Sequence, residues 1–233
     1  MAFYKIRTLS RKLPGGSMTE PVRGTLDVIL KQDSDHSPTC VYNEIVALRL
    51  AQRLGVPLAM GVPSVGDGGT YFASLTVGGL SINLPNISAT RMASVAKRYP
   101  ADAAALFVFD VWVLNNDRAD NLKANLTPAA VHLVVGIDHE QTLLGTRGEM
   151  RDSLQALGNL EVPRQHPLRE HVSPGCVAQW IKRIAALDDG AVDEAVVLNF
   201  SVGGVHERTQ RKLAAVVKTR RDHIADLVGR ACA

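Results

Sequence analysis

The chain has 233 residues, with 26 Lys+Arg against 23 Asp+Glu for a formal net charge of +3; 46% of it is hydrophobic and 21% charged. These proportions exclude intrinsic disorder, and three cysteines (Cys40, Cys176 and Cys232) are too few, and odd in number, for a disulfide scaffold. The charge excess is too small to argue for nucleic acid or a membrane by itself; Asp110 interrupts the best apolar run and the N-terminus shows no apolar leader, so a cytoplasmic, reduced protein is expected.

The first third reads as short strands separated by turn signals. Phe3 to Leu9 alternates loosely before Pro14-Gly15-Gly16-Ser17, and Gly24 to Lys31 (GTLDVILK) is a β-branched run. A helix follows through TCVYNEIVALRLAQRL, with Ser37 as the expected N-cap, Pro38 at its first position and Gly55 after its last periodic residue. Val62 to Val65 and Thr70 to Val77 flank Gly66-Asp67-Gly68-Gly69 as a hairpin. Beyond Gly78-Gly79 the pattern becomes helical. Ser88 to Lys97 and Pro100 to about Leu114 are expected helices, and Val131 to Ile137 (VHLVVGI) is a buried strand. Further helices are expected over Gly175 to Leu187, part of Ala191 to Phe200, and Val205 to Val228. The fold class expected is α+β: a strand-rich lobe over residues 1–78 and a larger helical lobe over 79–233.

Four polar positions stand against these patterns. Lys31 ends an apolar strand, where a solvated edge residue is the plain reading. Glu44 lies on or beside the stripe of Val41, Ile45, Leu48 and Ala51, so it either reaches water at the margin or turns inward and needs a cationic partner, for which Lys31 is the natural choice. The run Asn115 to Asn121 follows the apolar FVFDVWVL and forms a loop on a rigid support: an Asx-capped turn or a place for chemistry. Asp138 directly follows the buried strand, 21 residues after Asp117, and two such carboxylates with an Asn suit Mg²⁺. His139 has no second His or Cys at ligand spacing, which argues against zinc.

A strand Lys, a helix Glu, a loop Asp with Asn and a strand-end Asp, in that order, are the parts of a protein-kinase-like phosphotransferase. The segments VYNEIVALRLAQRLGVPLAMGVPS, FDVWVLNNDRADNL and VVGIDHEQTLL also resemble the HipA-like kinases, nearest to their short single-domain branch, over roughly Gly15 to Leu144. A more distant likeness to phosphoinositide kinases runs through Asp117-Arg118 and Ile137-Asp138. The resemblance implies a two-lobed protein-kinase-like fold that uses ATP and Mg²⁺ to phosphorylate Ser/Thr of a protein or of itself. It implies Lys31 as the ATP lysine, Glu44 as its partner, Asp117 as the catalytic Asp and Asp138 as the metal Asp. Gly15, Gly16 and Ser17 match the phosphate-covering loop, although no G-x-G-x-x-G is present, and Leu75, Thr76 and Val77 match the adenine hinge.

One departure matters. Kinase loops place the metal Asn five residues after the catalytic Asp, where this chain has Leu122. Asn121 stands four after and Asn125 eight after; a one-residue deletion makes Asn121 the ligand, the reading favoured here. Should that geometry fail, the chain is a degenerate nucleotide-binding module. No P-loop, G-x-S-x-G, H-E-x-x-H or C-x-x-C occurs. Cys40 is read as a small buried apolar residue. The basic segment His206 to Arg221 reads as a helix docked on the large lobe; nucleic-acid binding through it is the less favoured alternative, since no aromatic residues are interleaved.

Overall fold

The computed structural model describes residues 6–12, 22–76, 78–79, 82–84, 86–127 and 133–233. Gly15, Gly16, Ser17 and Val77 lie outside them, as do residues 131–132 of the expected strand.

β1 (Ile6–Lys12) and β2 (Val22–Leu26) pair antiparallel as a ribbon. GTLDVILK, expected to form one strand, instead breaks at Asp27 and serves two sheets. The Asp27 carboxylate binds Arg7 Nε at 2.5 Å and its carbonyl accepts the Thr76 N–H, so partners change from β1 to the next sheet at that residue. β3 (Val28–Gln32) then joins β4 (Gly61–Gly66) and β5 (Gly69–Leu75) in the order β3-β5-β4. β4 and β5 form the expected tight hairpin, in which Gly66 faces Gly69 and Gly69 takes a φ of 118° that a side chain would strain. In this register Lys31 lies opposite Phe72, which lies opposite Pro63. Phe72 is buried in the core with α1 residues, whereas Leu30 and Val62, on the other face, are exposed.

α1 (Cys40–Leu54) begins later than expected. Ser37 is not its cap: it is held in a turn by reciprocal backbone bonds with Ser34, and the first-turn N–H of Val41 is taken by Asp33 Oδ1 at 2.9 Å. A carboxylate outcompetes a hydroxyl for these orphan donors and also favours the positive helix end. Twelve of the 15 residues are buried, and the helix ends at Gly55 with φ 71°. Short strands β6 (Gly78–Gly79) and β7 (Ile82–Asn83) follow.

The remainder is mainly helical: α2 (Met92–Arg98), α3 (Pro100–Val113), α4 (Met150–Gly158), α5 (Pro174–Ala185), α6 (Asp189–Val196), α7 (Glu207–Asp222) and α8 (Ile224–Cys232). β8 (Leu122–Ala124) and β9 (Val134–Gly136) form an antiparallel pair between α3 and α4. The helix expected over part of Ala191 to Phe200 is α6, which starts slightly earlier because Asp188 accepts from Ala191 N, and gives way to extended chain at Val197. The expected helix over Val205 to Val228 is two helices, broken at His223, whose ring nitrogen bonds the Thr219 carbonyl. α4 and β8 were not anticipated.

α3 is buried on every side from Ala103 to Val113, as an apolar helix at the centre of a fold must be. Arg220, fully buried, donates to the Val111, Trp112 and Leu157 carbonyls and so satisfies groups left open at the end of α3. The basic stretch on α7 is largely committed within the chain: Lys218 pairs with Asp193, Arg221 with Asp189 and Asp222, and Arg211 with Glu207. One apolar core runs from α1 through α3 to α7 and α8. A small strand-rich N-terminal part is thus mounted on a larger helical one. Among the described residues no helix is long and apolar enough to cross a membrane.

Candidate active site

β3 delivers Lys31 and α1 delivers Glu44 to one point. Lys31 Nζ lies 2.5 Å from Glu44 Oε1 and 2.7 Å from Asp138 Oδ1, so the ion pair expected between strand and helix is present and includes the strand-end carboxylate. Glu44 turns inward, with 5% of its surface exposed, and its Oε1 also accepts the His139 N–H at 2.8 Å. Burial pushes the Glu44 carboxyl above its usual range, while Lys31 and the His139 N–H draw it back. For Lys31, burial works against the cation, but Glu44 and Asp138 outweigh it and its pKa rises. The residue before Glu44 also grips this segment: Asn43 donates to the Glu140 carbonyl and accepts from Leu144 N.

Asp138 sits at φ 57°, a left-handed conformation that Asp tolerates better than most side chains, and its Oδ1 accepts from Glu140 N at 3.3 Å. β9 reaches this point by an unusually close approach. A Cβ on Gly136 would stand 2.8 Å from an Arg118 nitrogen and 2.9 Å from Leu106 and Leu58 side chains. The same glycine bonds the Pro57 carbonyl and the Ala59 N–H, tying β9 to the segment after α1.

Asp117 lies on the loop after α3. Its N–H is held by Asn115 Oδ1 at 3.0 Å, and Asn121 Nδ2 donates both to its carbonyl, at 2.8 Å, and to its Oδ2, at 3.0 Å. Burial first, and then the nearby Asp138 carboxylate, push the Asp117 carboxyl upward. Asp117, Asn121, Asp138, Lys31 and Glu44 are therefore linked in one neighbourhood by hydrogen bonds, ion pairs and electrostatic interaction. Leu75 and Thr76 stand at the end of β5, where Leu75 pairs with Val28 and donates to the Met60 carbonyl.

Beneath the loop is a network that sequence reasoning did not assemble. Asp110, on α3 and with none of its surface exposed, receives four hydrogen bonds. Arg118 supplies two, at 2.7 and 2.9 Å, Asn115 one at 2.8 Å and His166 one at 2.9 Å, filling the acceptor capacity of the carboxylate. Burial of Asp110 opposes its charge, but Arg118 and His166 hold the carboxyl well below the usual range. Arg118, also buried, donates to the Asn121 and Ile137 carbonyls and to His139 Nε2. One guanidinium thus fixes the loop and the approach to Asp138 together. An arginine has no acceptor, so His139 carries its proton on Nδ1; burial and Arg118 lower its pKa to about 3, keeping it neutral. His166 Nδ1 accepts from Leu168 N, which leaves Nε2–H to donate to Asp110. The signal available in sequence was Asp110 itself, a charge inside an otherwise apolar helix, which requires a buried partner. Cys40 is buried as expected, and burial pushes its thiol up to about 12, an unreactive setting.

No protein-family model matches the chain, nor does any curated protein. Solved structures do. The chain is similar to the Helicobacter pylori proinflammatory kinase CtkA, with a TM-score of 0.60 at 12% identity over 99% of this chain and 96% of that one. It is also similar, with a TM-score of 0.60 at 13% identity, to a chain in the complex of the Shewanella oneidensis MR-1 toxin–antitoxin system HipA, HipB and its operator DNA; this match covers 95% of the present chain and 67% of the other. The likeness to HipA-type kinases read from the sequence therefore holds at the level of the fold: a protein-kinase-like architecture, strand-rich at its start and helical thereafter.

Proposed function

We propose that the chain is an ATP- and Mg²⁺-dependent phosphotransferase of HipA-like type that moves the γ-phosphoryl group to a Ser or Thr hydroxyl of a protein, or of itself. The observation that carries this reading is the bridging of Lys31 to Glu44 and Asp138, with Asp117 and Asn121 on the adjoining loop. Lys31, kept cationic by its two carboxylates, would bind the α/β-phosphates. Glu44 aims the lysine. Ile29, two residues earlier on the same strand face and 56% exposed, offers apolar surface for the base, and the Leu75–Thr76 end of β5 would lie at the adenine hinge with Val77. The phosphate-covering role is assigned to Gly15, Gly16 and Ser17, and the lobe boundary to residues 78/79.

The donor chemistry fits magnesium. Asn121 commits its amide nitrogen to Asp117, leaving Oδ1 as an oxygen donor, and Asp138 commits Oδ1 to Lys31 and Glu140 N, leaving Oδ2. Oxygen donors from one carboxylate and one amide suit Mg²⁺, which when bound neutralises phosphate charge. Asp117 would orient the acceptor hydroxyl. The acceptor O–P bond forms as the bond from the γ-phosphorus to its bridging oxygen breaks, and the hydroxyl proton passes late to the Asp117 carboxylate. The raised pKa of that carboxyl makes it a better proton acceptor.

A second reading, a nucleotide-binding module without turnover, is favoured by the short Asp117-to-Asn121 spacing and by the engagement of the Asn121 amide with Asp117. Incubation with γ-labelled ATP and Mg²⁺ separates the two. Transfer that disappears in Asp117→Ala and in Asp138→Ala supports the enzyme, whereas nucleotide binding with no label transferred to any protein supports the module.

A further inference from the structure

A cavity of about 450 Å³ opens beside the loop that carries Asp117. The two neighbours Asn116 and Ala119 form one side, Ala89 another, and the turn bearing Gln165, Arg169 and His171 the third. None of Lys31, Glu44, Asp117, Asn121 or Asp138 lines it; it adjoins the Asp117 loop through Asn116 and Ala119 without being part of the phosphate-side cluster. The far wall is as firmly held as the loop. His166 ties it to Asp110, Leu168 is fully buried and donates to His166 Nδ1, and the backbone bonds Arg169 N to His166 O and His171 N to Leu168 O close the turn. Loop and wall both hang on Asp110, so whatever lies between them is held beside the loop that carries Asp117, against Asn116 and Ala119, without ordering either side.

In phosphoryl transfer the attacking and leaving oxygens lie roughly in line, so the acceptor must approach from a place the nucleotide does not occupy. We propose that this cavity seats the acceptor, a polypeptide segment whose Ser or Thr hydroxyl reaches Asp117; the proposal rests on the kinase reading above. The lining also sets the kind of segment. Its one guanidinium, Arg169, faces its one carboxylate, Glu170, at 3.5 Å; His166 has both ring nitrogens committed to Asp110 and Leu168, and the other polar side chains are the Asn116 and Gln165 amides and the His171 ring. The cavity therefore selects uncharged, hydrogen-bonding residues around the hydroxyl rather than an acidic or basic consensus.

The test uses the full chain and a positional-scanning pool of Ser- and Thr-centred peptides. It reads phosphoryl transfer, peptide binding by amide shifts at residues 165–171, and the thermal shift with ATP and Mg²⁺. Ala89→Trp and, independently, Gln165→Trp fill the cavity from exposed positions; each is expected to raise the peptide KM about 10-fold or more while the KM for ATP stays put. Arg169→Glu is expected to turn the preference towards basic flanks. If transfer proceeds and all three variants match the parent, the cavity is not the acceptor site and the kinase reading stands. If peptides shift the amides at 165–171 in the parent but not in the tryptophan variants, and no label moves, the cavity assignment stands as a peptide site and the kinase reading falls. If peptides neither bind nor accept label, both fall.

Discussion

Replacing Asp110 by Leu removes the group on which both the Asp117 loop and its neighbouring turn depend. The guanidinium of Arg118, 1% exposed, would keep the Asn121 and Ile137 carbonyls and His139 Nε2 but lose its counter-charge. Breaking a buried pair from one side costs about 3–5 kcal/mol, because the remaining ion is uncompensated. For a chain of this length each kcal/mol lowers Tm by about 2–4 °C, so a fall of roughly 6–20 °C is expected. Total stability is on the order of 5–15 kcal/mol, which leaves the variant folded but marginal. Urea unfolding of Asp110→Leu, Arg118→Leu and the double variant closes a cycle. The double variant is expected to cost less than the sum of the singles by about 2 kcal/mol or more, because the second change removes the stranded charge. The pH dependence has a fixed sign. The folded-state pKa of Asp110 is depressed, so its contribution is fully present above the unfolded value of 3.8 and is lost only as pH falls below that, towards the folded pKa. The stability difference between parent and Asp110→Asn should thus stay flat down to about pH 4 and shrink at lower pH. A cost below about 1 kcal/mol for Asp110→Leu, or strict additivity in the cycle, would refute the assignment of this pair as the support of the loop.

Lys31→Met should cut phosphoryl transfer by about 10²-fold or more and also destabilise the fold, since Glu44 keeps only the His139 N–H; Glu44→Gln, which leaves Lys31 on Asp138, should cost less on both counts in parallel transfer and urea measurements. Carboxyl-carbon NMR titration should find Asp117 above the ordinary Asp value of 3.8, and Asp138→Asn should bring it down, since Asp138 is one of the two raising causes named above; no movement would remove Asp138 from its surroundings. Gly136→Ala should lower stability by about 1–3 kcal/mol through contact with Arg118, Leu106 and Leu58, and a melt indistinguishable from the parent would show that β9 has room to spare.

What could be read from the sequence was decided by the range of the interaction concerned. α1 and α3 were legible because a long apolar pattern with its own stop signals needs no distant partner to be recognised, and the β4–β5 hairpin because its turn is made by local glycines. Glu44 could be read as inward or marginal; nothing in the helix alone decides this, and Lys31 on another element does. The start of α1 was misplaced for a similar reason, since Asp33, eight residues before the N–H it caps, displaced the nearer serine. His166 was invisible: it lies in an ordinary-looking turn 56 residues after Asp110, and only the folded chain brings them together. β8, three residues long, was too short to carry a pattern of its own.

The burial of α1 bears on how the proposed activity could be controlled. Protein kinases are commonly governed by repositioning the helix that carries the lysine's glutamate. Here that helix is nailed to the larger part of the molecule: Tyr42 donates to the Val196 carbonyl, Arg53 pairs with Glu194, and Ile45, Val46, Leu48 and Leu50 are all buried. Drawing these four side chains out would cost about 1.5–3 kcal/mol each, which approaches the stability of the whole chain. Swinging α1 outward would be partial unfolding rather than regulation. The strand that brings Lys31 differs: its outer face, with Val28 and Leu30 exposed, is open to whatever docks there, while the glutamate waits at a fixed address.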